Sequence, residues 1–277
     1  MKKSIRAFPA DMKLKQRFLL TKNAGFDGIE LELTENGELN MAATDREIGE
    51  IKSLVRETGL ELSSISCGAL LWQYSLTSSD AAKRKKGEEV VVKMLEIAAG
   101  LGIDTVLVVP GAVDVWSNPS AEVVPYDTAY ERSRDALGKL AREAEKYRVH
   151  IGVENVWNKF LLSPLEMARF IDEIGSKYVG AFFDVGNILA YGYPEHWIKI
   201  LGKRIRKVHV KDFRKDIGNV TGFTPLLEGN VNWPAVMQSL REIAYDGYII
   251  AELSPYKLYP EQLIENTAKA MDKIMGR

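Results

Sequence analysis

VHIGVENVWNKFLLSPLEMARFIDEIGSKYVGAFFDVGN, residues 149–187, is the stretch whose reading decides the fold. Its first run, Val149–Asn155, is mostly apolar and carries Glu154 at its C-terminal end. Its last run, Val179–Asn187, is equally apolar and carries Asp184. Between them, Ser163–Ile174 places Leu165, Ala168, Phe170 and Ile171 on one helical face. Ser163-Pro164 reads as an N-cap with proline in the first turn. Strand, helix, strand is the unit that builds a parallel sheet, because parallel strands need a crossover.

Working outward, the same alternation recurs about eight times. Strands are expected at Ser4–Phe8, Gly28–Leu33, Leu60–Ser66, Thr105–Val109, His150–Glu154, Val179–Asp184, Lys207–Lys211 and Gly247–Leu253. Helices with apolar faces are expected within Asp45–Thr58, Asp80–Leu101, Tyr126–Tyr147, Ser163–Ile174 and Asn232–Ile243. Gly25, Gly59, Gly100 and Gly102 fall where helices should end, and Asn232-Trp-Pro234 opens another. Eight units predict an α/β fold, a (β/α)8 TIM barrel with a parallel eight-stranded barrel and outer helices. The 277 residues suit one such barrel of about 250 residues with short extensions, a single domain over 1–277. The runner-up is an open doubly wound sheet. It usually carries a Gly-rich fingerprint after its first strand, where this chain has Pro9-Ala10-Asp11-Met12.

Two further runs complete the pattern. Ile205–Asp212 (IRKVHVKD) carries His209, and Tyr248–Ser254 (YIIAELS) carries Glu252. Alternation along each strand puts Glu154 on the face of Gly152 and His150, and Asp184 on that of Phe182 and Gly180. It groups His209 with Lys207 and Lys211, and Glu252 with Ile250 and Tyr248. The opposite, helix-facing set is apolar in every case. Three carboxylates and one imidazole at the C-terminal rim of a barrel form a ligand set for a hard divalent cation. Any one of them alone is more simply a cap or a surface ion pair; four at one rim favour a site.

Composition limits the alternatives. The chain is 46% hydrophobic and 27% charged with a net charge of −1, which gives no electrostatic reason for a nucleic acid or an acidic membrane as partner. One cysteine, Cys67, allows no internal disulfide and fits a reducing cytosol, where a packed, unreactive thiol is expected. The N-terminal MKKSIRAFPADMKLK has no apolar core of signal-peptide length, and no stretch reaches the 18 apolar residues of a membrane helix, so a cytoplasmic location is expected. Lys83–Lys86 (KRKK), followed by Glu88-Glu89, reads as a solvated helix face rather than a nucleic-acid patch.

The ordered phrases IGVENVWN, AFFDVGN, KVHVKDF and IIAEL, with GFDGIELEL near the start and EGNVNWPAVM before the last strand, resemble the xylose isomerase-like TIM barrels of the sugar phosphate isomerase/epimerase group. Within it they are most similar to ketose 3-epimerases and hexulose-6-phosphate isomerase-like proteins, including the L-ribulose-5-phosphate 3-epimerase type. The resemblance covers most of the chain, and its four donors stand 30, 25 and 43 residues apart. It implies metal ligands at Glu154, Asp184, His209 and Glu252, with Glu154 and Glu252 also as the acid/base pair. It places Arg214 near the family's substrate-binding arginine and Asn187 at a position of substrate contact; Lys211 and Trp157, by their own places after His209 and Glu154, are expected substrate contacts too. Several free-sugar epimerases of the group carry histidine where this chain has Asn187, which shifts the expected substrate towards the sugar-phosphate branch.

That chemistry asks for these groups. Epimerisation at carbon 3 removes a proton α to a carbonyl and returns one on the opposite face, work for two carboxylates flanking the substrate. A cation polarises the carbonyl, so that a metal-bound cis-enediolate carries its charge against it. Three oxygen donors and one nitrogen favour Mn2+, then Mg2+, with Co2+ or Zn2+ also able to bind. An aldose–ketose isomerase, or a keto-inositol dehydratase-like lyase, can use the same scaffold. A DNA-repair endonuclease of this fold would want a histidine-rich trinuclear site, and the chain has three histidines; sugar binding without turnover is the remaining rival. The expected partner is a small sugar or sugar phosphate, with a homo-oligomer allowed. His150 should be a buried structural residue, ~13 Å down the strand from Glu154. Phe160, Trp72, Trp116 and Tyr256 are further candidates for the pocket wall, Lys211 and Asp212 for substrate contact or a local ion pair. Glu30 and Glu32 share one strand face, and one of them is expected at the mouth. Arg6 and the Gly-rich loop Ile217–Asn232 are candidate anion sites, the loop also a candidate lid.

Overall fold

The structure, a computed structural model, describes residues 1–115, 118 and 120–277. Eight strands alternate with eight main helices: β1 Lys2–Arg6, α1 Leu14–Asn23, β2 Gly28–Glu32, α2 Asp45–Thr58, β3 Glu61–Ser66, α3 Ala81–Leu101, β4 Thr105–Val108, α4 Tyr126–Tyr147, β5 His150–Glu154, α5 Pro164–Ile174, β6 Val179–Asp184, α6 Pro194–Leu201, β7 Ile205–Val210, α7 Trp233–Glu242, β8 Tyr248–Glu252 and α8 Pro260–Met275. The strands close in the order β1-β8-β7-β6-β5-β4-β3-β2, all neighbours parallel. This is the (β/α)8 barrel that the sequence predicts. None of its helices is long and apolar enough to cross a membrane among the described residues.

Local chemistry sets the ends of the helices. Thr44 and Glu47 form a reciprocal capping box at the start of α2. Ser163 accepts from the Glu166 amide at the start of α5, with Pro164 in the first turn. Gly59 and Gly102 end α2 and α3 at φ of 67° and 76°, a left-handed conformation that a side chain disfavours. Gly100, expected as a terminator, lies inside the last turn of α3 instead. The KRKK segment also lies in α3, where Arg84 binds the Ser78 and Ser79 carbonyls and Lys86 pairs with Glu89.

The pleat divides the strands as alternation requires. Ile151, Val153, Ala181, Phe183, Val208, Val210, Ile249 and Ala251 pack beneath the helices, none more than 2% exposed. Inside the barrel, Phe182 fills the space that Gly152 leaves: a Cβ at Gly152 would lie 2.9 Å from the Phe182 Cβ. The Phe182 ring in turn meets His209, with centroids 4.5 Å apart. Two register slips sit below the functional rim. Ser63 is the extra residue between the β2–β3 pairs Ile29↔Leu62 and Glu30↔Ser64, and Arg206 is the extra residue between Ala181↔Ile205 and Phe182↔Lys207. Such bulges re-aim the side chains that follow, here Ser64, which faces Glu30, and His209. After β7 the chain forms a small antiparallel ribbon, Asp212–Phe213 with Phe223–Thr224.

Candidate metal centre

β5, β6, β7 and β8 bring Glu154, Asp184, His209 and Glu252 to one point at the C-terminal end of the barrel. Each offers one donor atom, and all four atoms lie within 4.8 Å of one another. His209 Nδ1 stands 3.2 Å from Glu154 Oε1, 3.6 Å from Glu252 Oε2 and 4.0 Å from Asp184 Oδ2. Glu154, Asp184 and His209 are buried; Glu252 is partly open to the cavity above.

A frame of amides fixes Asp184. Asn155 donates from Nδ2 to the Asp184 carbonyl and accepts at Oδ1 from the Asp184 amide, both at 2.8 Å. The Asn187 amide donates to Asp184 Oδ1 at 2.7 Å, its Nδ2 donates to the Asn155 carbonyl, and its own carbonyl accepts from Trp157 Nε1. Asp184 Oδ2 is buried and accepts no hydrogen bond. Lys211 Nζ is 3.0 Å from it, close enough for charge attraction although poorly aligned, and bonds Glu252 Oε2 at 2.6 Å. A buried, unbonded carboxylate oxygen aimed at two more carboxylates and an imidazole fits a divalent cation.

The charges around the two glutamates differ. Burial pushes the Glu154 carboxyl up to about 7, with the Glu252 charge adding to the rise against the pull of His209. Burial also acts on Glu252, but Lys211, His209 and Arg6 outweigh it and hold that carboxyl well below the ordinary range. Arg6, on β1, bridges Glu252 and Glu32, with 2.8 Å to Glu32 Oε1.

Above the four donors opens a cavity of about 580 Å3. Arg6, Glu30, Glu32, Glu154, Lys211 and Glu252 supply its polar wall. Trp157, Trp72, Phe8, Val220, Phe223 and Pro225 supply much of the apolar wall. Trp157 packs on Phe223 and Phe213 with centroids 5.2 and 5.6 Å apart. Thus Asn187, Lys211 and Trp157 of the expected substrate contacts reach the cavity. Arg214 does not: its guanidinium is about half exposed and pairs with Glu228 outside. It lies just past the ribbon strand Asp212–Phe213, outside the barrel. Phe160 packs against Tyr126, Tyr130 and Phe170 rather than on the cavity. Tyr256 is absent from the described lining, and Trp116 lies outside the described residues.

Asp212 holds a loop instead of substrate. Its Oδ1 accepts from the Phe213 and Val231 amides, and its Oδ2 from the Leu227 amide and Trp233 Nε1. His150 is half-buried at the far end of β5, against Tyr178 and the Asp104 carbonyl, more open than expected. Cys67 is buried and desolvation pushes its thiol up to about 12, as suits a packing residue. Two residues carry more than the sequence suggested. Arg6 is engaged by two carboxylates, and Arg17 enters the cavity wall while bonding the Met12, Pro9 and Ala10 carbonyls. The alternation of Glu30 and Glu32 on β2 was the available signal for the acidic side of the mouth.

A family model described as a xylose isomerase-like TIM barrel matches residues 18–274. L-ribulose-5-phosphate 3-epimerase UlaE of Escherichia coli O157:H7 is 25% identical over 285 residues, covering 98% of this chain and 92% of that protein. Among solved structures, D-psicose 3-epimerase crystallised in the presence of D-fructose superposes with a TM-score of 0.82 at 18% identity, over the whole of both chains. The IOLI protein with a bound zinc atom gives a TM-score of 0.80 at 20% identity, over 100% of this chain and 98% of its own.

Proposed function

This chain belongs to the xylose isomerase-like TIM barrel family, and from that premise we propose that it is a divalent-metal-dependent 3-epimerase of ketoses or ketose phosphates. The observation that carries the reading is the convergence of Glu154, Asp184, His209 and Glu252 within 4.8 Å, with Glu154 and Glu252 lining the cavity. The likeness in sequence to L-ribulose-5-phosphate 3-epimerase along nearly the whole chain supports the reaction class. These four residues would hold the cation, Mn2+ by preference for three oxygen donors and one nitrogen. Bound there, it would supply Lewis-acid polarisation of the substrate carbonyl.

The protein's own groups do the rest. Glu154 and Glu252 rise from β5 and β8 with β6 and β7 between them, so their carboxyls flank a substrate from two sides. Lys211 and Arg6 keep Glu252 ionised, fit to take the proton from carbon 3. Glu154, desolvated and pushed up, is fit to hand a proton back on the opposite face. In the reverse direction the roles exchange. Trp157, Phe223 and Pro225 screen the exchanging proton from water. Lys211 and Asn187, which line the cavity, would meet substrate hydroxyls.

Solvent deuterium incorporation, followed by NMR with Mn2+ and a panel of ketopentoses, ketohexoses and their phosphates, tests the proposal. Label at carbon 3 with a new diastereomer is expected, and the phosphorylated and free substrates compared side by side name the branch. Label at carbon 1 or 2 with an aldose appearing would make the protein an aldose–ketose isomerase. No exchange on any sugar, with Glu154→Gln like the wild type, would defeat the acid/base assignment.

A further inference from the structure

The imidazole of His209 is held from both sides, and only one side faces the four-donor cluster. On the other, Nε2 lies 3.1 and 3.2 Å from the two carboxylate oxygens of Glu30. Glu30 sits on β2, three strands around the barrel from β7, so the contact crosses the barrel interior. Its side chain is wholly buried. The register slip at Ile29/Glu30 sets Glu30 opposite Ser64, whose hydroxyl donates to Glu30 Oε2 at 2.6 Å. Arg6 Nε stays 3.8 Å from Glu30 Oε1 and makes no hydrogen bond there. The Arg6 guanidinium serves Glu32 and Glu252 instead. Glu30 is therefore committed to His209 and Ser64.

A buried carboxylate bonded to one ring nitrogen favours the proton on that nitrogen, and a cation bound among Glu154, Asp184 and Glu252 would take the lone pair of the other in place of its 3.2 Å contact with Glu154. We propose that Glu30 is a positioning residue: it holds the His209 proton on Nε2, so that the Nδ1 lone pair points at the cation site between Glu154, Asp184 and Glu252. This rests on the reading of that cluster as a metal site. Glu30 itself is no ligand. It acts through His209, orienting the ring and raising its basicity, and Ser64 keeps the carboxylate in its plane.

The test uses Zn2+ as a diamagnetic probe and 15N-labelled histidine. The chain has three histidines, so the spectrum is small and a His209→Gln variant assigns it. In the zinc-loaded wild type, His209 is expected to show a proton on Nε2 and a metal-bound, unprotonated Nδ1. A proton on Nδ1 with Nε2 bound to zinc would overturn the proposal, and this arm needs no change at Glu30. In parallel, Mn2+ affinity is measured by titration on the wild type and on Glu30→Gln. The variant is expected to bind 10–100-fold more weakly, the usual cost of losing such a partner, with its circular dichroism unchanged. Equal affinity in a folded variant would overturn the positioning role while leaving the metal site standing. A wild type that binds neither ion would overturn both readings together.

Discussion

Asp212 to Asn is a change of one atom with a calculable effect. The carboxylate accepts four hydrogen bonds, two at each oxygen: Phe213 N at 2.9 Å and Val231 N at 3.0 Å on one, Leu227 N and Trp233 Nε1 at 3.1 Å on the other. The side chain is buried, so water replaces none of them. An asparagine keeps one acceptor oxygen and turns an NH2 towards two donors. Two bonds to an ionised acceptor are lost, at about 1.5–3 kcal/mol each. The lower bound, ~3 kcal/mol, raises the opening constant of the loop about 150-fold. Gly229→Ala should act on the same point from outside, because its Cβ would lie 2.2 Å from Asp212 Oδ1 and 2.6 Å from the Phe213 amide nitrogen. Hydrogen exchange read by mass spectrometry on peptides spanning 212–233 measures the opening directly. Because Val220, Phe223, Thr224 and Pro225 line the cavity, KM for the substrate should rise with it. Exchange within threefold of wild type in both variants would refute the view that Asp212 organises this wall.

Other outcomes follow from the same geometry. Gly152→Ala puts a methyl 2.9 Å from the Phe182 Cβ, in a barrel interior with no slack, and should cost about 1–3 kcal/mol in urea denaturation; unchanged stability would mean that the layer between Gly152 and His209 is loosely packed. Adding Mn2+ to the chelator-treated protein at 100 times its Kd should stabilise it by ~2.7 kcal/mol, read as a higher Tm, and Glu252→Gln should abolish most of that gain; a Tm indifferent to metal would speak against the centre. Asp27 accepts from the Lys3 amide and Arg277 Nη1, both at 2.8 Å, and although burial pushes its carboxyl up, these donors hold it below the usual range. A carboxyl depressed in the folded state stabilises above its unfolded value, ~3.9, and that contribution disappears as pH falls through the folded value. Asp27→Asn should therefore flatten the loss of stability as pH falls below about 4, and an unchanged acid limb would count against the pairing.

The strand ends were readable because period-two alternation and burial tell the same story. Once Val153, Phe183, Val208 and Ala251 pack under helices, Glu154, Asp184, His209 and Glu252 must turn to the axis. Which donors converge could be read from position along each strand, since parallel strands in near register end at one height. Arg214 shows the limit of counting. It stands five residues beyond His209, but the chain leaves the barrel at Asp212 and the ribbon carries the guanidinium to Glu228. Asp212 itself could not be told from a ligand, because its role depends on N–H donors 15 to 21 residues later, two amides and the Trp233 indole. Glu30 was visible as an acid on a strand face, but its partner is 179 residues away, across the barrel interior. Contacts of that kind follow from closure and from a one-residue slip, which no local pattern announces.

The seam between β1 and β8 joins residues 246 apart, from Lys2↔Tyr248 to Arg6↔Glu252. On a ribosome adding ~5–20 residues per second, the first strand waits roughly 12–50 s for its partner. Throughout that interval β1 carries an unpaired edge, joined near the end by that of β7, the hazard that charged residues on an edge strand help to suppress. Lys2 and Lys3, side by side at the start of β1, are placed to guard it. The strand that ends the wait also delivers Glu252. A nascent chain therefore acquires the fourth residue of the candidate cation site only when the barrel shuts, and cannot assemble that cluster while its edges are still open.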